Sequence, residues 1–247
     1  MSVQFLVGTS GWTYNDWKGT FYPKGLAKRS WLDYYVTQFP TVELNATFYR
    51  RFPDQTYRRW CEHAPAGFTY VLKAPRLITH RKYLVDVEDE IRAFWRSASL
   101  LGDKLGLILL QIAPATPYDL ERLQVALLTF GDSRRVAVEF RRKEWLNDEV
   151  LRLLSDCGAA FVSADSPSSR LVDWVTSDVG YIRLHGRDRW YSHDYTPEEL
   201  GEIAEAAHRM VTNGAKVVYI FFNNDFEGYA PQNALALSAP LSGCPHT

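Results

Sequence analysis

The sequence predicts an α/β fold in which eight strand and helix units form a single parallel (β/α)8 barrel. Three observations carry this expectation. The chain has 247 residues, and one barrel of eight such units takes about 250. Short runs rich in β-branched and aromatic residues alternate with longer runs of helical period, which is the rhythm of a parallel sheet. Several short runs, such as Val217 to Phe222, are apolar throughout, as strands covered on both faces are.

Eight strands are read, at Phe5 to Gly8, Thr41 to Leu44, Phe68 to Lys73, Leu105 to Gln111, Arg135 to Glu139, Ala160 to Ala164, Gly180 to Leu184 and Lys216 to Phe222. Helices between them have recognisable starts. Ser30 precedes Trp31, Asp54 precedes Gln55 to Cys61, and Asp86 precedes Val87 to Leu101, each in the position of an N-cap. Pro117 opens a segment to Phe130 and Asn147 one to Cys157, with Gly131 and Gly158 as stops. Thr196-Pro197-Glu198-Glu199 reads as cap, first-turn proline and acidic turn, and that helix ends near Asn213-Gly214. The sixth helix, near Ser168 to Thr176, is expected to be short or irregular. The whole chain, 1–247, is read as one domain with its core at about 5–236 and a frayed tail over 240–247.

Composition narrows the function classes. With 46% apolar and 14% aromatic residues the chain can bury a large core, which excludes disordered and disulfide-scaffold proteins. A net charge of −1, from 28 basic and 29 acidic residues, supplies no global field for nucleic acid or an anionic membrane. The longest apolar run, around Leu105 to Leu110, is far below the ~18 residues of a membrane span. The first residues lack a basic region followed by an apolar stretch, so the chain is expected in the cytoplasm, without a membrane partner. Cys61, Cys157 and Cys244 are odd in number with no C-x-x-C spacing, against both a disulfide framework and a cysteine zinc site.

The apolar runs end in polar residues of a consistent kind. Strand one leads into Thr9-Ser10-Gly11-Trp12, strand two carries Glu43 and Asn45, strand three ends at Lys73 and strand four at Gln111. Strand five ends in Glu139-Phe140-Arg141, strand six in Asp165, strand seven holds Arg183 and continues to His185, and strand eight gives Asn223-Asn224-Asp225. In a parallel barrel these ends open on one face, where the active sites of that architecture lie.

The same segments resemble a known family. Gly8-Thr9-Ser10-Gly11-Trp12 with Tyr14, Trp17 and Phe21-Tyr22-Pro23; Val42-Glu43-Leu44-Asn45 through Phe48-Tyr49; and Lys73-Ala74-Pro75-Arg76 with Thr79-His80 are similar, in order, to motifs of the YecE-like family of uncharacterised proteins, domain of unknown function seventy-two. Val138-Glu139-Phe140-Arg141 with Trp145, Arg183-Leu184-His185-Gly186 and Phe222-Asn223-Asn224-Asp225 complete the series, over about residues 5 to 236. The resemblance implies a TIM-like barrel; the family's activity is not established. Gln111-Ile112-Ala113-Pro114 departs from the family's usual Gln, apolar residue and two prolines, so that loop is expected to differ in shape.

Read as chemistry, Glu43, Lys73, Glu139, His185 and Asp225 are the candidate acid and base groups, and Trp12, Tyr14, Asn45, Tyr49, His80, Gln111, Arg141, Arg183, Asn223 and Asn224 the candidate substrate-binding groups. Opposite charges in a concave site orient a polar, sugar-like or phosphorylated substrate; equally, they neutralise one another in a half-buried barrel top. Arg183 and His185, two apart on a strand, point the same way. The loops after strands seven and eight are where barrels often take phosphate. The aromatics after strands one and two read as lid packing or as a stacking platform, and basic loops such as Arg50-Arg51, Arg76 and His80-Arg81-Lys82 accompany them. Nucleic acid is therefore the alternative partner, and a metal-dependent phosphodiesterase a third reading by fold analogy alone. No metal site is assigned: Glu139, Asp165, His185 and Asp225 are ligand types, but Lys73, Arg141 and Arg183 would repel a cation and no H-x-x-x-H or H-x-E spacing occurs. Dinucleotide, P-loop and nucleophile-elbow motifs are absent, so no cofactor is named, and the oligomeric state is not readable.

Overall fold

Strand and helix alternate along the chain as the apolar pattern dictates. In the computed structural model, which describes residues 3–242, the strands are β1 (Gln4–Thr9), β2 (Thr41–Leu44), β3 (Thr69–Lys73), β4 (Leu105–Ile112), β5 (Val136–Phe140), β6 (Ala160–Asp165), β7 (Val179–Leu184) and β8 (Val217–Phe222). The principal helices are α1 (Trp31–Gln38), α2 (Ala46–Tyr49), α3 (Asp54–His63), α4 (Glu88–Ala98), α5 (Leu120–Thr129), α6 (Asp148–Cys157), α7 (Pro197–Thr212) and α8 (Tyr229–Ser242). The strands run in the order β1-β8-β7-β6-β5-β4-β3-β2, and the fold is a TIM-like (β/α)8 barrel, the class the sequence predicts. Among the described residues no helix is long and apolar enough to cross a membrane.

The chain falls into two compact units, one holding the residues up to Glu43 and from Ser163 onward, the other running from Leu44 to Val162. In the first unit β8 pairs in parallel with β1, from Gln4 against Val217 to Thr9 against Phe222, and with β7. Glycine is required at Gly8, where a Cβ would lie 2.3 Å from the carbonyl oxygen of Thr41. That close approach extends into a parallel bridge between Ser10 and Glu43. The segment after β1 is packed aromatic: Trp17, Tyr22, Trp31 and Tyr35 are buried, and Tyr22 stacks on Trp31 at 4.6 Å. In the second unit β4 pairs with β3 and β5, and β5 with the start of β6, over a core of residues such as Leu72, Ile108, Leu110 and Val138.

Helix signals succeed where the side chain is free to cap. Asn147 accepts a hydrogen bond from the amide of Val150 at 3.0 Å, and α6 ends at Gly158 in a left-handed conformation (φ 69°). Thr196 and Glu199 form a full capping box at α7. Other starts differ from the sequence expectation. Asp54 is the first residue of α3 rather than its cap, because its carboxylate accepts from Ser97 Oγ at 2.7 Å. Asp86 is left-handed (φ 46°), with its carbonyl held by Lys82 Nζ at 2.7 Å, and α4 begins at Glu88, one residue later than expected. That helix also stops at Ala98, followed by a 3-10 segment bent at Gly102. Pro117 does not open α5; Asp119 does, accepting from the amide of Arg122 at 3.0 Å, and the helix closes at Phe130 before Gly131.

The expected sixth helix is absent. Ser166 and Ser169 exchange backbone hydrogen bonds at 3.0 and 3.2 Å, and Ser163 Oγ accepts from the amide of Val172 at 2.8 Å. These local bonds occupy the groups a helix needs. At the other end of the chain α8 continues through Pro240 to Ser242, further than the expected frayed tail allows, and the rest of that tail lies outside the described residues.

Candidate functional site

In the first unit, β7 supplies the backbone of the site. Tyr181, Arg183 and His185 occupy alternate positions, so their side chains share one face. Arg183 meets the carboxylate of Glu43 in a fork, Nε to Oε2 at 2.9 Å and Nη2 to Oε1 at 2.7 Å. The Tyr181 hydroxyl donates to Oε2 at 2.6 Å and the Ser10 hydroxyl to Oε1 at 2.7 Å. Four donors thus fill the roughly four acceptor positions of one carboxylate. Burial alone would push the Glu43 carboxyl up, but the charge and hydrogen bonds of Arg183, with those of Tyr181 and Ser10, hold it below the ordinary value. Glu43 is therefore an ionised anchor that fixes the plane of the Arg183 guanidinium.

His185 is buried and held at both ring nitrogens. The Asn223 amide meets Nδ1 at 2.9 Å, and Arg183 Nη1 lies 3.5 Å from Nε2. Gly186 comes next with φ 101°, at a place where a Cβ would lie 2.2 Å from the carbonyl oxygen of Arg189. The turn so formed brings the rings of Trp190 and Tyr191 to 5.7 and 6.0 Å from the His185 ring. Both aromatics are exposed, and Tyr191 is left-handed (φ 64°) with its amide on the His185 carbonyl at 2.7 Å.

Asp165, at the end of β6, is fully buried but differently served. Its Oδ2 receives Arg187 Nε at 3.3 Å, Arg170 approaches Oδ1 no closer than 3.8 Å, and Oδ1 has no hydrogen bond. Burial pushes its carboxyl above the ordinary value despite Arg187 and Tyr195. Arg187 is itself shared with Glu202 at 2.7 Å and Glu199 at 3.6 Å. Asp225 is half-buried and shifted the same way, by burial and by the neighbouring Asp16. Asn224 ties loops together, donating to the His193 carbonyl and to Asn233 Oδ1 at 2.7 and 2.8 Å. Trp12 and Tyr14 belong to the aromatic segment after β1, where Tyr14 donates to the Ser10 carbonyl at 2.6 Å and the Trp12 carbonyl accepts from Tyr22.

The second unit holds the remaining candidates at the ends of β2 to β5. Lys73 Nζ stands 4.3 Å above the Phe48 ring, and the Lys73 carbonyl accepts from Thr47 at 2.7 Å. Glu139 accepts from Gln111 Nε2 at 2.8 Å and pairs with Arg141 at 2.7 Å. His80 contacts Thr79 Oγ1 through Nδ1 at 2.8 Å, and its ring packs edge-on against Phe48 at 4.9 Å. Burial, then Lys73, Arg76 and Arg141, lower its pKa to about 4 against the opposing pull of Glu139, so the ring is neutral at pH 7. Asn45 is half-buried with an unpaired Oδ1, and Tyr49 is 70% exposed.

Among the described residues no three His, Cys, Asp or Glu side chains lie together as a metal would need. The structure adds Tyr181, Tyr191 and Tyr195 to the residues singled out from the sequence, brings in Arg187 and Trp190 from one basic loop of the sequence, and shows Asp165 as a buried carboxyl shifted upward. Tyr181 was signalled by its position two residues before Arg183; the others depend on turns that the sequence does not announce.

The profile of "Protein of unknown function DUF72" matches residues 6–245. The chain is 26% identical to the UPF0759 protein YunF of Bacillus subtilis (strain 168), over 92% of this chain and 91% of that one. Among solved structures it is similar to a DUF72 family protein of Thermotoga maritima MSB8, with TM-score 0.88, 29% identity and coverage of 97% and 99%. A second, from Enterococcus faecalis V583, gives TM-score 0.84 at 23% identity, with coverage of 98% and 97%. The family that the strand-end motifs resemble and the family that the whole chain matches are the same, and this chain belongs to DUF72.

Proposed function

We propose that the protein is an enzyme that binds a small polar anion, sugar-like or phosphorylated, at the strand ends of the first unit and moves a proton there. The observation that carries this reading is the opposite bias of two fully buried carboxylates, Glu43 held ionised and Asp165 held toward its protonated form. Environments that drive two titratable groups apart are how a site assigns acid and base roles. In this reading Asp165, whose Oδ1 has no hydrogen bond, is the proton donor. His185, held between Arg183 and Asn223, accepts or relays the proton, and Arg183, locked by Glu43, presents positive charge to the substrate. Asp225 is a second carboxyl biased toward its protonated form. Glu43 keeps a positioning role, since its acceptor positions are filled. Trp190 and Tyr191 supply flat apolar faces over His185, suited to a sugar ring. The second unit carries strand-end cations of its own, Lys73 and Arg141, the latter oriented by Glu139.

A thermal-shift screen against sugar phosphates and sugar acids, followed by turnover assays on the binders, tests this. Asp165→Asn and His185→Gln are each expected to lower turnover by about 10²-fold or more while leaving binding within a few-fold. Full turnover in both variants contradicts the assignment.

A further inference from the structure

The second unit contains a cavity that the proposed proton-transfer site does not use. It has a volume of about 420 Å³ and lies among α2, α3, the turn after β3 and α4, within the range of small-ligand sites. Phe48, Tyr57 and Phe94, all buried, line it with carbon, and Tyr49 and Leu77 are exposed at its edge. Arg50, Arg51, Arg76 and Arg81 also line it. Among the described residues none of these four forms an ion pair with a carboxylate; Arg50 instead rests on the Phe52 ring at 4.5 Å. The cavity's two carboxylates, Asp89 and Glu90, already face Arg92 at 3.1 Å and Lys82 at 2.8 Å.

The backbone here is unusual as well. Arg76 precedes and Arg81 ends a π-helical turn, Leu77–Arg81, a form that recurs at functional sites. Tyr83, Leu84 and Asp86 come after it with φ of 50°, 66° and 46°. Left-handed non-glycine residues persist only where surrounding contacts hold them, and Lys82, bonded to the Asp86 carbonyl and to Glu90, is one such contact.

We infer that this cavity binds a nucleoside phosphate, with the arginines on its phosphate oxygens and the base against Tyr49 and the aromatic lining. Guanidinium groups take phosphate oxygens two at a time, and an apolar wall with an exposed aromatic accepts a flat ring. A simple anion would leave the carbon lining unused, and an uncharged aromatic would leave four cations unanswered. Neither Asp165 nor His185 lines it.

Isothermal titration of the purified full chain with ADP and with inorganic pyrophosphate, at constant ionic strength, tests the inference. ADP is expected to bind. Arg51→Ala with Arg81→Ala, both at exposed positions, is expected to weaken ADP and pyrophosphate at least tenfold, with an unchanged melting temperature. Tyr49→Ala is expected to weaken ADP several-fold and leave pyrophosphate unchanged. No ADP binding, or ADP binding unaltered by the arginine pair, overturns the inference. Equal effects of Tyr49→Ala on ADP and pyrophosphate overturn the placement of the base. Binding of a single-stranded oligonucleotide without binding of ADP also overturns it, identifying the arginines as part of a polyanion surface.

Discussion

Glu43 at β2 and Asp165 at β6 are both carboxylates at strand ends, both fully buried and both near arginine, yet they are driven in opposite directions. Burial raises each. The difference lies in the donors: Glu43 receives a forked guanidinium and two hydroxyls at 2.6 to 2.9 Å, whereas the closest guanidinium contact on Asp165 is 3.3 Å and one of its oxygens has no hydrogen bond. Geometry of donors, more than depth of burial, decides in which direction a buried carboxyl is shifted. The comparison also separates a carboxylate whose acceptor positions are filled from one with an oxygen left without a hydrogen bond.

The largest expected effect comes from breaking the Glu43 side. Glu43→Gln leaves Arg183 buried without its counter-charge and is expected to cost about 3–5 kcal/mol in urea unfolding. Adding Arg183→Met to that variant is expected to restore most of the loss, because a buried pair removed together leaves no orphaned charge. A double variant as unstable as the single one would mean that Arg183 has other roles in stability. Next in size, Ser10→Ala deletes one of the four donors to the charged carboxylate and is expected to cost about 1.5–3 kcal/mol.

The smallest and most diagnostic effect is in pH dependence. Because Glu43 is lowered on folding, its contribution is present above the ordinary carboxylate range and is lost as pH falls through its folded value. Asp165 is raised, so the folded state holds its proton longer, and stability falls as pH rises from the ordinary Asp value through the folded one. Asp165→Asn is expected to remove that fall and leave stability at pH 8 within about 1 kcal/mol of the parent or above it. Equilibrium unfolding at intervals from pH 3 to pH 8 distinguishes the two slopes.

Much of this arrangement was legible in the sequence. Eight apolar runs ending in polar residues located every strand, because strands buried on both faces leave an unbroken apolar signal. Glu43, Arg183 and His185 stood out by position alone. Their roles did not: a strand-end glutamate reads equally as a base or as an anchor until Ser10 and Tyr181, 33 residues before and 138 after it, are seen to fill its oxygens. The missing sixth helix was hidden because serine side chains can serve either a helix cap or an irregular loop. Likewise the basic loops were visible residue by residue, but their convergence depends on a π-helical turn that no local pattern announces.

Carboxyl-carbon NMR titration reads the divergence of the two buried acids without an intermediate step. Signals are assigned by comparison with Asp165→Asn and, if it remains folded, with the Glu43→Gln and Arg183→Met double variant. Asp165 is expected to remain protonated above the ordinary aspartate range while Glu43 stays ionised below the ordinary glutamate range. Protonation of Glu43 before Asp165 as pH is lowered would contradict that divergence.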